Sequence, residues 1–589
     1  MRRASNMATV LFMGLVVLGG LIYLGSQSSG SLTPISSTPP RRIDPATTPA
    51  GPARAVAELL QNHAPILDAA PEQEIYVAVR SKGRRLGEGT FPLKDGYQAT
   101  TIDAVAVLTN RAGAAAAAEV DAVEVCLPYD FRDVRMRAKR GVQGNVHRGM
   151  RGVRFSHGGQ RALYCPTDMI ARNSDFKQVQ HEFARGLRIK VSDLIEQGEA
   201  EIFDAHQLLL QLGDKPRVHQ LLRGNVLVPE SAVNRETTLA LTDGMARWLL
   251  HSLQPSGRMV YMYWPSRNRE SNGNNMIRQF MASTALVRLG NYRDDPAITE
   301  AAERNYRYNL SKFYRTDGDL GMITFRNKSK LGAAALAALG IVEAPFRAEL
   351  AEYERALVRF TDHMLRDNGR FYTFYKSDRE DNHNFYPGET LLLWAFLMEK
   401  QPDPERLDRF MKSFYHYREW HRANTNPAFI PWHTQAYYMV WRHTRNEELR
   451  DFVFEMNDFL ADFQQWDNVR YEDERGRYHD PERRNFGPPH ASSTGVYLEG
   501  FIDAYKMAKE VGDEVRAERY RRAMLQGIRS LMQLQFVDDV DTYYVVKKDD
   551  VLGGIRTTVY NNTIRVDNVQ HSLMGLMKLI PAFDKYEAW

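Results

Sequence analysis

Cysteine is nearly absent from this 589-residue chain: Cys126 and Cys165 are the only two, and no Cys-x-x-Cys occurs. That excludes a disulfide-stapled scaffold and a thiol-rich metal site. Both thiols stand in apolar, strand-like segments, so a single disulfide and a pair of inert buried thiols both stay open. An excess of charge is missing too. Lys and Arg number 77, Asp and Glu 73, and they are interspersed for a formal net charge of +4, too balanced for a nucleic-acid footprint. Long uncharged apolar runs are equally scarce near the ends; the one that stands out is residues 8–25.

That run can just cross a bilayer as a helix. Arg2 and Arg3 precede it and no acid does, which predicts a cytoplasmic segment 1–7, a transmembrane anchor 8–25 and an extracytoplasmic body, periplasmic or extracellular. A cleaved signal peptide would look similar, but no clear small-x-small site follows. Residues 26–54 are rich in Ser, Thr, Pro and Gly, a composition that buries no core and reads as a disordered tether. The expectation is a single-pass membrane protein.

A long-period repeat organises the C-terminal part. Gly257-Arg-Met-Val-Tyr-Met-Tyr263 is followed by Arg269-Glu-Ser-Asn-Gly-Asn274 and an apolar segment; Gly369-Arg-Phe-Tyr-Thr-Phe-Tyr375 is followed by Arg379-Glu-Asp-Asn-His-Asn384 and another. A fainter third copy begins at Gly476-Arg-Tyr-His479 and runs through Arg483 to His490. The period, roughly 110 residues, is about twice that of a helical-hairpin array, so each copy should hold two hairpins. Charged segments with 3.6-residue periodicity lie at 238–253, 298–314, 346–365, 404–423, 448–466 and 514–536, and nearly uncharged ones at 275–289, 329–341, 388–398, 432–443, 493–508 and 569–580. A helix apolar on all sides must be buried on all sides. Alternating outer and inner helices, six of each, predict an (α/α)6 toroid over 235–585. The repeated loops precede inner helices and should line one funnel.

Between about 71 and 212 the pattern changes to short strands at 74–80, 122–127, 152–156 and 161–165, with helical stretches at 99–118 and 174–185, an α+β unit. His157-Gly-Gly-Gln160 is a hairpin signal. Arg85-Leu-Gly-Glu-Gly-Thr90, the helix start near Thr101-Ile-Asp-Ala-Val105 and Gly149-Met-Arg-Gly-Val-Arg-Phe-Ser-His-Gly-Gly-Gln-Arg-Ala-Leu-Tyr-Cys-Pro166 resemble the AMMECR-type domain. The chain lacks the cysteine of that family's Arg-Gly-Cys-Ile-Gly-Thr element. The resemblance therefore implies a fold, with a packing or substrate-presenting role.

Four histidines, His383, His433, His490 and His571, fall at or near inner-helix starts, and a toroid would bring them together. A histidine near a helix N-terminus tends to be neutral and available as a base. Glu389 and Asp567 accompany them, as a carboxylate pair or as orienting groups, and Glu499 stands alone in an apolar run, where it must be paired or protonated. Arg269, Arg379, Arg484 and Arg565 are planar donors for substrate carboxylate or sulfate. Tyr263, Tyr375 and Trp432 offer stacking faces, and Glu270 and Glu380 hold matching places in the repeated loops. Individual aromatics also fit ordinary packing on the rim, and the two glutamates fit pairing with neighbouring arginines.

The twelve-helix pattern is similar to the six-hairpin toroids of glycoside hydrolases, polysaccharide lyases, N-acylglucosamine 2-epimerase-like enzymes and the C-terminal part of glucuronyl 5-epimerases. The resemblance implies a carbohydrate-active enzyme, epimerase-like, acting on an anionic polysaccharide by general acid/base catalysis, with His433 and His490 first for proton transfer and His383 and His571 next. Two alternatives stay open: a hydrolase or lyase using a carboxylate pair, and a non-catalytic glycan-binding scaffold of an envelope polysaccharide assembly, whose other proteins would be its partners. No nucleic acid and no cofactor are implied. Zinc, which imidazole suits, is disfavoured because the histidines lie at no metal-motif spacing.

Overall fold

The computed structural model describes residues 51–136, 147–213, 215–467, 469–480, 482–483 and 489–589. Six outer helices span Arg235–His251, Pro296–Phe313, Ala351–His363, Pro404–Ala423, Glu447–Ala461 and Glu514–Leu534; six inner helices span Met276–Arg293, Leu331–Glu343, Tyr386–Lys400, Ile430–Thr444, Ala491–Val511 and Val566–Lys585. They are numbered here outer 1–6 and inner 1–6. Each inner helix packs on the next, and inner 6 packs back on inner 1, which closes the ring. The outer helices lie against it from outside, outer 1 on inner 6 and inner 1.

The sequence dictates which helix goes where. Five outer helices begin at an Asn or Asp whose side chain accepts from first-turn amides: Asn234, Asp295, Asp403, Asn446 and Asp513. Inner 2, Leu-Gly-Ala-Ala-Ala-Leu-Ala-Ala-Leu-Gly-Ile-Val-Glu, is buried from Leu331 through Val342. No polar face is left to turn outward, so the segment enters the ring.

The repeated Gly-Arg turn has a steric cause. Gly257, Gly369 and Gly476 adopt φ of +88°, +83° and +88°, and a Cβ there would lie 2.6, 2.5 and 2.2 Å from the carbonyl oxygens of Arg304, Lys412 and Gln526. Each turn follows an outer helix and presses on the backbone of the next outer helix, and only glycine permits both the conformation and the approach. Single bridges, Leu253 to Met259, Leu365 to Phe371 and Gln464 to Tyr478, close the three turns alike.

The α+β unit is an antiparallel sheet ordered β2-β1-β3-β6-β4-β5, built from β1 (Glu74–Ser81), β2 (Arg84–Pro92), β3 (Ala122–Val134), β4 (Arg151–His157), β5 (Gln160–Tyr164) and β6 (Glu199–Gln211), with β7 (Arg217–Leu221) also on β6. One face carries Ile75, Val77, Val79, Val123, Val125, Leu208 and Leu210 into a core with helices Gly51–His63 and Gly96–Ala112. On the other side Ala122, Leu209 and Leu221 join the toroid core, so the two units share packing.

Several expectations change. The single-pass membrane localisation is corrected: among the described residues no helix is long and apolar enough to cross a membrane. Residues 1–7, 8–25 and 26–50, on which that expectation and most of the tether rest, lie outside the described residues. Residues 51–54 are not tether; they open the helix Gly51–His63, which buries Ala53, Val56, Leu59 and Leu60. Strands β2, β6 and β7 were not foreseen. β2 is Arg-Arg-Leu-Gly-Glu-Gly-Thr-Phe-Pro, whose glycines and charges hide its alternation. Cys126 and Cys165 are free, buried thiols.

Candidate active site at the mouth of the ring

All six inner helices bring their N-terminal turns to one end of the ring, and five of them carry a polar or aromatic side chain there, Arg278, Glu389, Trp432, Ser492 and Asp567, whereas inner 2 opens Leu-Gly-Ala-Ala. Asp567, at the start of inner 6, accepts from Arg565 (Nη2 2.8 Å to Oδ2) and is ion-paired with Arg278 of inner 1 at 2.7 Å. Burial opposes its ionisation, but the two guanidiniums prevail and hold the carboxyl far below the usual range. Arg565 also reaches Ser492 Oγ at 3.4 Å. His490 caps inner 5: Ser493 N donates to its Nδ1 at 3.1 Å. Burial, helped by Arg565, lowers this imidazole to about 4, so it is neutral.

Glu389 stands across the ring, in the first turn of inner 3, which is the sixfold opposite of inner 6. Burial pushes its carboxyl up to about 8, against the pull of Lys330. Its Oε2 makes no hydrogen bond. A Cβ on Gly332 of inner 2 would come within 1.8 Å of that oxygen, so the glycine is what gives the carboxyl its place. Burial thus favours the protonated form of Glu389, where the two guanidiniums favour the ionised form of Asp567.

His571 lies one turn deeper. Its Nδ1 is 2.8 Å from Glu499 Oε1, its side chain stays 13% exposed, and Trp432 of inner 4 sets its indole edge-on with centroids 5.9 Å apart at 71°. Glu499, 1% exposed, also stands 3.9 Å from Arg288, which is itself held by Glu343. The buried carboxylate foreseen in inner 5 is thus paired. Because Nδ1 faces Glu499, the imidazole presents Nε2 for other partners.

The remaining expected residues divide. His433 is not at the mouth: it is fully buried, stacked on Phe429 with centroids 3.5 Å apart, and its Nδ1 is 2.8 Å from the Phe429 carbonyl. The opposing Gly388 makes room for the ring, since a Cβ there would lie 2.7 Å from that Nδ1. Burial lowers His433 to about 3. His383 is enclosed by Tyr417 (3.0 Å), Glu380 (3.1 Å) and Arg370 (3.2 Å) in a repeated loop. Glu270 pairs with Arg258 at 2.6 Å, and Glu380 with Arg366 at 2.8 Å and with Arg370, so these glutamates brace their own turns. Arg379 pairs with Asp381 and lies over Phe374. Tyr375 donates to Asp317 at 3.0 Å on the rim, and Tyr263 is buried in strand Met262–Trp264. Arg269 is exposed, its guanidinium 5.3 Å from the Trp264 ring. Arg484 lies outside the described residues.

Sequence reasoning missed Arg278 and Lys330. Arg278 was legible: it is a lone charge one turn into an apolar helix, the same signal that marked Glu499. Among the described residues no group of three or more His, Cys, Asp or Glu is placed to hold a metal ion.

No family model matches the chain and no curated protein matches it; the AMMECR-type resemblance therefore rests on its motif residues alone. Among solved structures, the chain is similar to an unsaturated glucuronyl hydrolase from Streptococcus agalactiae (10% identity, 59% of this chain, 92% of that one, TM-score 0.42). It is also similar to a D-mannose isomerase (10% identity, 60% and 99%, TM-score 0.45) and to a family 76 glycoside hydrolase from a bovine Bacteroides thetaiotaomicron strain (11% identity, 79% and 97%, TM-score 0.42). All three are carbohydrate-acting enzymes by name. At these identities and scores the likenesses carry no argument for this chain, and the toroid stands on its own closed ring of helices.

Proposed function

We propose that the mouth of the ring is the active site of a carbohydrate-active enzyme that transfers protons on an anionic sugar, with Glu389 as the acid and His571, oriented by Glu499, as the base. The observation that carries this reading is the placement of two groups on opposite helices of the ring: burial favours the protonated form of Glu389 on inner 3, while His571 on inner 6 has its Nδ1 on Glu499 and its Nε2 left for substrate. Arg565 and Arg278 supply positive charge beside them for a substrate carboxylate or sulfate, and Trp432 offers a sugar-ring face.

Two groups on opposite walls suit epimerisation. His571 Nε2 takes the proton from a ring carbon on one face, the negative charge rests near the guanidiniums, and Glu389 delivers a proton to the other face; nothing is oxidised and no bond between sugars breaks. Asp567 is a poor partner in a carboxylate-pair hydrolase, since Arg565 and Arg278 occupy its oxygens. His433 is replaced in the catalytic role by His571 because stacking and burial close its ring to substrate.

The test incubates the protein with acidic and neutral polysaccharides in deuterated water and reads proton NMR together with chain length. Deuterium at a ring carbon without shortening supports epimerisation. New reducing or unsaturated ends move the same residues to hydrolysis or elimination. No change with any glycan sinks the enzymatic reading in favour of a glycan-binding scaffold.

A further inference from the structure

We propose that the α+β unit completes the mouth of the ring by holding the hairpin that delivers Arg565 and Asp567, with Arg148 as the positioning residue. The inference rests on the reading of that mouth as the active site. The hairpin is formed by the strands Arg556–Thr558 and Asn561–Arg565, and the second runs without a break into inner 6.

The root of the hairpin is anchored within the toroid: Ile564 pairs with Tyr263, Arg565 with Met262, and Val566 N donates to the Tyr261 carbonyl at 2.9 Å. The tip finds partners in the other unit. Arg148 Nε donates to the Tyr560 carbonyl at 2.5 Å, Asn562 Nδ2 donates to the Ile170 carbonyl at 2.9 Å, and Asn173 Nδ2 donates to Asn561 Oδ1 at 3.2 Å. Arg148 Nη2 fixes Asn173 in turn through its Oδ1 at 2.6 Å.

Arg148 makes no hydrogen bond to a carboxylate among the described residues; its acceptors are a backbone carbonyl and an amide. A guanidinium so placed sets geometry through its rigid fork rather than neutralising charge. Burial accordingly lowers it to about 10. Its own position is secured from behind. The Arg148 carbonyl accepts from Arg223 Nη1 at 2.7 Å, and Arg223 is clamped by Asp473 at 2.8 Å and Glu474 at 2.9 Å, with all three side chains almost without exposure. The α+β unit therefore ties the toroid loop before inner 5 to the hairpin before inner 6, the two helices that contribute His490 and Asp567.

The test uses the full chain with Arg148→Met, Arg148→Lys and the milder Asn173→Ala. Hydrogen exchange should speed up about tenfold in residues 556–565 for Arg148→Met, and about threefold for Asn173→Ala, with inner-helix protection unchanged. On a glycan that reacts with the wild-type chain, Arg148→Met should raise KM about tenfold while kcat stays within about twofold, and Arg148→Lys should recover part of the loss because it keeps one donor. Unchanged exchange in the hairpin, or faster exchange spread over the whole chain, overturns the proposal, as does a loosened hairpin with unaltered KM. If no glycan reacts with the wild-type chain, the active-site reading falls, and with it the claim that the hairpin serves catalysis; the exchange result still decides whether Arg148 holds the hairpin.

Discussion

Two places in the ring hold histidines at the starts of inner helices, and they behave oppositely. At the mouth, His571 sits between a carboxylate and an exposed space, with Arg278, Arg565 and Asp567 nearby. On the outer side of inner 4, His421, Phe429 and His433 form a dry stack, with successive centroids 4.3 and 3.5 Å apart, and burial lowers the two imidazoles to about 4 and about 3. Sequence position places His433 and His571 alike near inner-helix starts, while His421 ends an outer helix. What separates them is the face of the helix on which each ring lies: one turns to the axis among charges, the other to an outer helix among aromatic rings.

The comparison breaks first at the acid and the base. On the proposed mechanism Glu389→Gln and His571→Gln should each lower turnover at least about a hundredfold, measured as deuterium incorporation. His433→Ala should instead leave turnover of the folded protein near wild type while costing about 3 kcal/mol in chemical denaturation, the range for opening a cavity under a stacked aromatic side chain.

Protonation sharpens the contrast further. In the unfolded chain His421 and His433 titrate near 6.5, and folding depresses both. The native state therefore binds fewer protons, so stability is fully present above about pH 6.5 and falls as pH drops toward 4, by on the order of a few kcal/mol for the two together. Glu389 acts with the opposite sign. Its folded value, about 8, exceeds the unfolded carboxylate value, so its stabilising contribution is present at low pH and is lost as pH rises through about 8. Melting curves should fall on both sides of about pH 6.5, and Glu389→Gln should remove the fall between there and about pH 8 and steepen the rise below it. The smallest effect belongs to the loop braces: breaking the half-exposed Arg258–Glu270 pair with Glu270→Gln should shift stability by less than about 1 kcal/mol.

Most of the ring was legible because its signals are local. Apolar runs without charge became inner helices within a few residues of their predicted ends, and charged segments with 3.6-residue periodicity became outer ones. The spacing of Gly257, Gly369 and Gly476 reported a contact, each glycine meeting the backbone of the next outer helix, so the repeat was visible before its cause. The site was less legible because it depends on helix rotation. His433 and His571 each follow an apolar helix start, and nothing local says that Phe429 will stack on one while Glu499, 72 residues away in sequence, reaches the other. Arg278 was overlooked although its lone charge in an apolar helix was the clue applied to Glu499. In the α+β unit β2 was missed because glycines and paired charges interrupt its alternation; its Arg85 is held by Asp168, a residue 83 positions on.

The central claim is that Glu389, on the helix opposite the one that carries His571, keeps its proton at neutral pH. Infrared difference spectroscopy of the wild-type chain against Glu389→Gln tests it directly, by following the carbonyl stretch of a protonated carboxyl as pH is raised from 5 to 9. The account predicts a band present at neutral pH, absent from the variant, and lost as pH passes about 8. A Glu389 that is already ionised at neutral pH, with no such band, would contradict it.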